Sequence, residues 1–383
     1  MTPTLTKQYS IAEYFGGIRD PRYQHSPPHR LLDIITIALC GVICGANDWE
    51  GVAEFGRAKE EWLRKFLPLA NGIPSADTFG RIFSQIDPVE FEHSFLRWVE
   101  AISQLTAGEV VAIDGKTLRR SHDHRHDQKA IHMVSAWASQ NRLVLGQVKV
   151  DDKSNEITAI PALLRLLALQ GCIVTIDAIG HQTEIATQII KQGADYALAL
   201  KENQGRLYHE VVRLFADALA DPSGQRIPYA TDQTVNKGHG RIETRRCWTI
   251  SQPDFIKYLD PQGRWTGLQT VVMIESHRHQ GEEHTHEVRY YTSSLAGDPK
   301  LLNRVIRTHW TIENQLHWEL DVAFREDDSR VRQGYAPENL AVLRHIALNL
   351  LKQEPSLKLG IQNKRLRAGW DNDYLLKVLS LLT

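Results

Sequence analysis

Two aspartates that end apolar strands are the residues best suited to chemistry in this sequence. Asp114 follows the run VVAI, and Asp177 follows IVTI in the same way. A carboxylate at the end of a buried strand is costly unless it is paired, hydrogen-bonded or bound to a metal. Taken alone, each aspartate could be structural or functional. If their strands are neighbours in one sheet, the two carboxylates meet at one edge and predict a shared cation.

A third acidic ligand must come from another part of the chain. Glu313 is the leading candidate because it lies in the middle of a predicted helix, opposite part of its apolar stripe. Its rivals in the same region are Glu319, Asp321 and Glu326. Magnesium prefers oxygen ligands, and a pair of such ions can activate an attacking oxygen and stabilise a leaving one. The three carboxylates therefore predict hydrolysis or transesterification of phosphodiesters.

Histidines and cysteines offer other metal sites. His309, Glu313 and His317 fall on one helical face at the spacing of a zinc array, but the upstream aspartates favour an oxygen-rich magnesium site. Two loop groups could also bind a metal, although solvated histidines are the favoured interpretation: His122, His124 and His126, and His277, His279, His284 and His286. Cys40 and Cys44 lie in an apolar run that indicates core packing.

The elements that position the aspartates form an α/β pattern. Three strand-like segments, 109–118, 130–139 and 142–150, predict an antiparallel meander. Two further strands, 172–178 and 195–200, alternate with helices and predict parallel additions to the same sheet.

Three units are predicted along the chain. Residues 1–105 have a helical pattern and form an N-terminal helical domain; residues 106–336 form the catalytic domain, with a β-rich insertion at about 225–295 that interrupts the α/β pattern. A long helix begins at Asp298 and Pro299, and residues 337–383 form a C-terminal helix and a basic tail.

Composition limits the partners. The 383 residues contain 45 basic and 46 acidic side chains, for a net charge of -1, so any surface that binds nucleic acid must be local. Four cysteines without framework spacing favour a reduced compartment. Without a leader-like start or a long apolar run, we expect a cytoplasmic bacterial protein with no membrane segment.

Several long motifs in fixed order resemble the ISAs-type insertion-sequence transposases, a group that includes the H-repeat-associated proteins. They are VVAIDGKTLRRS, KSNEITAIPALL, IVTIDAIGHQTEIA, YALALKENQ, GHGRIETRR, HWTIENQLHWELDVAFREDDSRVR and ENLAVLRHIALNLLK. The resemblance implies an RNase H-like fold with a mixed sheet, in which Asp114, Asp177 and Glu313 are the catalytic triad and bind two Mg²⁺ ions, with Mn²⁺ as a substitute. It also implies cleavage at terminal inverted repeats, strand transfer into target DNA and a homodimer on DNA.

Residues around these motifs are predicted to contact DNA. Lys201, Asn203 and Gln204 follow the strand DYALAL and open at the same edge of the sheet as the aspartates. The basic GHGRIETRR segment could be a solvated hairpin or a DNA contact. The full set of predicted contacts is Lys116, Lys201, Asn203, Gln204, His239, Arg241, Arg245, His309 and Arg330.

Three points stay open at this stage. The tyrosine, arginine and lysine that flank the glutamate in related transposases are replaced by Ile306, His309 and Leu320, so contacts to the terminal phosphate are not assigned. The basic Lys364, Arg365 and Arg367 either neutralise DNA or solubilise the tail. A metal-dependent nuclease of the same fold, and an inactive domesticated relative that only binds DNA, are the alternative functions.

Overall fold

The N-terminal part of the chain is helical. The structure, a computed structural model, describes residues 10–22, 27–122, 129–151, 155–221, 224–238 and 240–380. Ser75 and Asp87 accept hydrogen bonds from the backbone N–H groups of the helices that follow them. The helices are α1 (Ser10–Phe15), α2 (Leu31–Ile43), α3 (Trp49–Ala58), α4 (Glu60–Leu63), α5 (Ala76–Phe83) and α6 (Pro88–Ile102).

A mixed sheet forms the centre of the molecule. Its order is β3-β2-β1-β4-β5-β9-β8-β7-β6. The strands are β1 (Val110–Thr117), β2 (His132–Ala138), β3 (Leu143–Lys149), β4 (Ile173–Ile176), β5 (Asp195–Leu200), β6 (Ala230–Gly238), β7 (Arg241–Ile250), β8 (Thr270–Gln280) and β9 (Glu283–Ser293).

The first five strands have the RNase H-like arrangement that the sequence predicts. β1, β2 and β3 pair antiparallel as a meander, whereas β4 and β5 lie parallel to β1. Most residues of these strands are buried, which is typical of a sheet covered on both faces.

The β-rich block extends this sheet. β9 pairs antiparallel with β5, and β8, β7 and β6 follow outward in a further antiparallel series. The β-rich block therefore interrupts the α/β pattern along the sequence, as expected. In space it does not interrupt the sheet, because the hydrogen-bonded ladder continues from β5 to β6.

Helices cover the two faces of the sheet. Leu302, Val305 and Ile306 of α11 pack on one face, against residues that include Val110 and Ile173. The helix α9 packs on the other face of β8. The remaining helices are α7 (Glu156–Leu166), α8 (Thr183–Lys191), α9 (Gly205–Leu219), α10 (Pro253–Leu259), α11 (Pro299–His309), α12 (Trp318–Val322), α13 (Ala336–Gln353), α14 (Ile361–Trp370) and α15 (Asn372–Leu379).

The helix predicted from Asp298 begins at the expected residue but is not continuous. Asp298 accepts hydrogen bonds from the N–H groups of Lys300 and Leu301, with Pro299 in the first turn. α11 ends at His309, a wider π-helical turn spans Glu313–His317, and α12 follows. Such π turns are rare and are frequent at functional sites.

The C-terminal region holds three helices where one helix and a basic tail were predicted. Lys364 donates hydrogen bonds to the carbonyl oxygens of Leu351 and Glu354. Arg365 is 2% exposed and donates to the carbonyl oxygens of Val42 and Ala46. These two side chains are therefore structural, and neither solubilises a tail nor faces DNA.

One large hydrophobic core joins the helical regions to the sheet. It includes Ile37 of α2, Trp98 of α6, Val111 of β1 and Leu343 of α13. The N-terminal and C-terminal helices therefore pack into the same core as the strands that carry the aspartates. Within the described residues, no helix is both long and apolar enough to span a bilayer.

We predict that Arg365→Met lowers the free energy of unfolding by about 2 to 5 kcal/mol, because it leaves buried carbonyl oxygens without donors. Its guanidinium also lies 4.2 Å from the ring centroid of Phe324. Arg367→Met is the matched control: its side chain is 55% exposed and pairs only with Asp371 on the surface, so the cost should be below about 1 kcal/mol. Urea unfolding of both variants tests this, and equal midpoints would contradict it.

Candidate metal centre

Strand pairing places Asp114 and Asp177 side by side. β1 and β4 are parallel, with Ile113 opposite Ile176, and an aspartate follows each of these two isoleucines. Alternate residues of a strand share a face. Asp114 therefore shares its face with Val110, which packs against α11, and Asp177 shares its face with Thr175.

The helical segment after α11 brings Glu313 to the same place. His309, at the end of α11, is hydrogen-bonded through Nδ1 to Thr175 Oγ1 at 3.0 Å. In the following π turn, the Nδ1 atom of His317 lies 3.5 Å from Glu313 Oε2 and 3.7 Å from Asp114 Oδ2. Ligand atoms of Asp114, Glu313 and His317 all lie within 4.8 Å of one another. Asp177 is outside this tight group, on the adjacent strand end.

The electrostatics of the cluster suit a cation. Burial, together with the neighbouring carboxylates of Glu313 and Asp177, raises the pKa of Asp114 to about 8. The hydrogen bond with His317 lowers the pKa of Glu313. Burial, followed by the charge of Glu156, raises the pKa of Asp177. Acidic groups held this close need a proton or a positive ion between them, and the oxygen donors fit a hard divalent metal.

Asn203 and Gln204 hold the loop that follows Asp177. Asn203 donates a hydrogen bond to the carbonyl oxygen of Ala178, and Gln204 donates to that of His181. Asp177 itself accepts the N–H of Ile179 at 3.0 Å. Each of these amides therefore makes a hydrogen bond inside the protein that fixes the backbone beside Asp177, and their contact with DNA stays a prediction. Lys201 is exposed and close enough to Asp177 to lower its pKa.

Glu156 and His132 were not singled out from the sequence, yet they lie at this edge. Oε1 of Glu156 is 2.6 Å from His132 Nε2, and both line a cleft of about 440 Å³ next to Ile179 and Asn203. A Cβ atom added to Gly115, the residue after Asp114, would lie only 2.2 Å from Glu156 Oε1. The pair of Glu156 and His132 therefore packs against β1 next to Asp114. The motif KSNEITAI could have drawn attention to Glu156, which is the first residue of α7.

The rivals of Glu313 have other roles. Asp321 and Glu326 both form ion pairs with Lys116, whose side chain is 12% exposed. Glu319 is half-buried, with the charge of Lys352 nearby. Lys116 was predicted to contact DNA; its ammonium group pairs inside the protein with these two carboxylates, and the DNA contact stays a prediction.

His309, another of the predicted DNA contacts, lies beside β4. Burial lowers its pKa to about 4, so the imidazole is neutral at physiological pH. With Nδ1 bonded to Thr175, the side chain connects the start of the glutamate segment to β4. The imidazole carries no positive charge for a phosphate, and its contact with DNA stays a prediction.

Arginines from the β-rich block and α11 gather on the face of the sheet that carries Glu313. Burial lowers the pKa of Arg245, and the charges of Arg307 and Arg289 lower it further. Within the described residues, Nε of Arg245 and Nη1 of Arg307 have no hydrogen-bond partner although they are buried. The guanidinium of Arg289 lies 4.6 Å from the ring centroid of Trp310. We call Arg245, Arg289 and Arg307 the arginine cluster.

The other predicted DNA contacts lie apart from this centre. Arg330 is exposed and lines a cleft of about 920 Å³ between the N-terminal helices and the segment after α12, with Arg325 and Arg332. Arg241 begins β7 and is half-buried. His239 lies outside the described residues.

Comparison with known proteins identifies similar chains. Residues 106–350 match the family model described as "Transposase DDE domain", and residues 12–99 match one described as "DDE_Tnp_1-associated". "Putative transposase YncI" of Escherichia coli O157:H7 is 41% identical over 376 residues, which is 97% of this chain and 94% of that protein. "H repeat-associated putative transposase YhhI" of Escherichia coli K12 is 39% identical over 375 residues, 97% of each.

A solved structure has a weaker likeness to the chain. It is the cryo-EM structure of the piggyBac transposase synaptic complex with hairpin DNA, at a TM-score of 0.40 and 10% identity over 97% of this chain and 76% of that one. Family membership therefore rests on the sequence comparisons.

We predict that Glu326→Gln removes a pH-dependent part of the stability. Burial alone would raise the pKa of Glu326, but Lys116 and Arg344 hold it at about 2, below its ordinary value. A lowered folded-state pKa contributes stability above the unfolded-state value, and this contribution is lost as the pH falls towards about 2. Relative to the variant, the wild type should be more stable by about 3 kcal/mol or more at about pH 6, and this advantage should shrink at about pH 3.

Guanidinium unfolding of both proteins across this range measures the difference. The exposed Glu54, paired only with Arg57 on the surface, supplies the control Glu54→Gln, whose difference from wild type should stay small at every pH. A difference for Glu326→Gln that does not change with pH would contradict the assignment.

Proposed function

Because the chain belongs to the family of transposases with a DDE domain, we propose that it cleaves DNA at insertion-sequence ends and joins the freed 3′ ends to target DNA. The observation that carries this proposal is that Asp114 of β1 lies close to Glu313 of the π turn. Asp177 follows β4, the parallel neighbour of β1. Oxygen donors from three separate chain segments at one sheet edge suit phosphodiester chemistry.

Asp114, Asp177 and Glu313 would hold two Mg²⁺ ions, with Mn²⁺ able to replace them. The metals supply positive charge that activates the attacking oxygen and stabilises the departing 3′ oxygen. His317 contacts both Asp114 and Glu313, so it orients the two carboxylates. Asn203 and Gln204 fix the loop of Asp177. The side chains of the protein therefore position the ligands before substrate arrives, and no serine or cysteine nucleophile is required.

The arginine cluster supports a DNA path along the face that carries Glu313. Arg307 and Arg289 are 41% and 32% exposed although each pairs with a glutamate, and guanidinium groups suit phosphate oxygens, which they can bind in a bidentate manner. Arg330 and its neighbours line the large cleft on the far side of α12. We assign these two basic regions to terminal-repeat and target DNA, with Lys201 and Arg241 as further phosphate contacts. A homodimer on DNA would hold two transposon ends for a coordinated reaction.

We predict that Asp114→Asn, Asp177→Asn and Glu313→Gln each abolish both cleavage and joining, because each removes a charged metal ligand while keeping the shape of the side chain. The assay uses labelled DNA with the flanking terminal repeats in Mg²⁺, with chelation of the metal as a second test. Glu319→Gln, six residues from Glu313 on the same helical segment, is the control and should retain activity.

The products separate the alternative functions. Joined product from the wild type and Glu319→Gln alone would support a transposase. Metal-dependent cutting without joining would favour a nuclease, and DNA binding without cutting would favour an inactive relative. An active Glu313→Gln variant would refute the proposed ligand set.

We further predict that Arg307→Ala weakens DNA binding and lowers the slope of log K against log salt by about 1, because one phosphate contact is lost. Arg213→Ala is the control: this exposed arginine lies on α9, across the sheet from α11, and bonds Glu210. Fluorescence anisotropy at several salt concentrations measures both quantities. An unchanged slope for Arg307→Ala would exclude the arginine cluster from the DNA path.

A further inference from the structure

The β8–β9 hairpin gathers histidines on one face. In this antiparallel pair, His277 lies opposite His286, and His279 lies opposite His284. Glu275 precedes His277 by two residues, so it shares the same face of β8. The sequence favoured solvated loop histidines here, but the structure places all four on paired strands.

Three of these side chains converge. Oε1 of Glu275 lies 3.0 Å from Nε2 of His286 and 3.3 Å from Nε2 of His277. Ligand atoms of the three residues all lie within 4.8 Å of one another. The rings of His277 and His286 are stacked, with centroids 4.5 Å apart. Oε2 of Glu275 faces Arg246 at 3.8 Å, which leaves Oε1 directed at the histidines.

We propose that Glu275, His277 and His286 form a binding site for a borderline divalent transition metal, with Zn²⁺ as the representative ion. Two imidazole nitrogens and one carboxylate oxygen are a ligand set that zinc accepts, with a fourth position left for water. Imidazole ligands favour zinc, copper or nickel over magnesium, so the site differs in chemistry from the acidic centre.

The surroundings allow a metal to enter and bind. The side chains of Glu275, His277 and His286 are 22%, 29% and 47% exposed, so the cluster is open to solvent on one side while the sheet supports it on the other. The second pair of histidines is adjacent, with the rings of His279 and His284 4.2 Å apart.

The site is separate from the centre that holds Glu313. Val271 and Met273 share the face of Glu275 and His277, and both pack in the cluster formed with α9. Val272 and Ile274, on the opposite face, pack with α11. The histidine cluster therefore lies on the side of the sheet away from α11, and it does not depend on the function proposed above.

A metal here would connect two strands near the tip of the hairpin. Beyond Glu275 and Val288, the residues of β8 and β9 are largely exposed, and the described part of the hairpin has few apolar contacts there. A bound ion would hold β8 to β9 in register where packing does not. The expected consequence is a zinc-dependent rise in thermal stability.

The test is equilibrium dialysis of the full chain against Zn²⁺ in excess Mg²⁺, with bound metal counted by mass spectrometry. The double variant His277→Asn and His286→Asn should bind about one ion fewer per chain than the wild type. Because it lacks two direct ligands, its zinc affinity at this site should fall roughly 100-fold or more, which exceeds the usual effect of removing an outer-shell partner. The control double variant His93→Asn and His209→Asn removes two exposed histidines elsewhere and should keep the ion. Asp114→Asn should also keep it.

Thermal unfolding with and without Zn²⁺ provides the second measurement. The wild type and the control should gain stability from zinc, whereas the double variant should not. If the double variant is poorly folded without metal, the single variant His286→Asn, at the most exposed ligand, takes its place. The proposal is overturned if folded His277 and His286 variants bind as much zinc as the wild type, or if Asp114→Asn alone removes the ion.

Discussion

The parallel pairing of β1 with β4 is the constraint on which the rest of the structure depends. It places Asp114 beside Asp177 at the end of two buried strands, where like charges repel and water is scarce. Several side chains around this edge fix the carboxylates in place, and His317 lies against both Asp114 and Glu313. Lys116, two residues beyond Asp114, turns to Asp321 and Glu326 and balances the acids beneath the site. Because that lysine is used internally, the acidic edge keeps an excess of negative charge that suits a metal.

The strands themselves and the two aspartates that end them followed from the sequence because they depend on local pattern. Apolar runs of four residues before Asp114 and Asp177, and helices between parallel strands, are visible in any short window. The start of α11 at Asp298 and Pro299 was predictable for the same reason, since capping is local chemistry. The roles of Asp114, Asp177 and Glu313 as metal ligands stay a prediction, as do the limits of the three units.

Long-range partners could not be predicted from the sequence. Four residues predicted to contact DNA also bond to protein groups distant in the chain, which the sequence did not indicate: Lys116, Asn203, Gln204 and His309. The same holds for Arg365, which bonds carbonyl oxygens more than 300 residues away. A basic or amide side chain has the same local pattern whether its partner is a phosphate or a buried backbone group, so only the tertiary structure distinguishes them.

The π turn has a structural reason that also explains the placement of Glu313. The apolar residues of α11, such as Val305 and Ile306, pack in the cluster beneath the β-rich block. After the turn, Leu316 and Leu320 pack in the main core with the N-terminal and C-terminal helices. The segment must therefore pass from one core to the other, and the wide turn Glu313–His317 lies at that passage. Glu313 remains half-exposed there, at 51%, whereas His317 is buried at 6%. Because the segment passes from one core to the other at this turn, the carboxylate of Glu313 stays accessible to solvent while its partner His317 is buried.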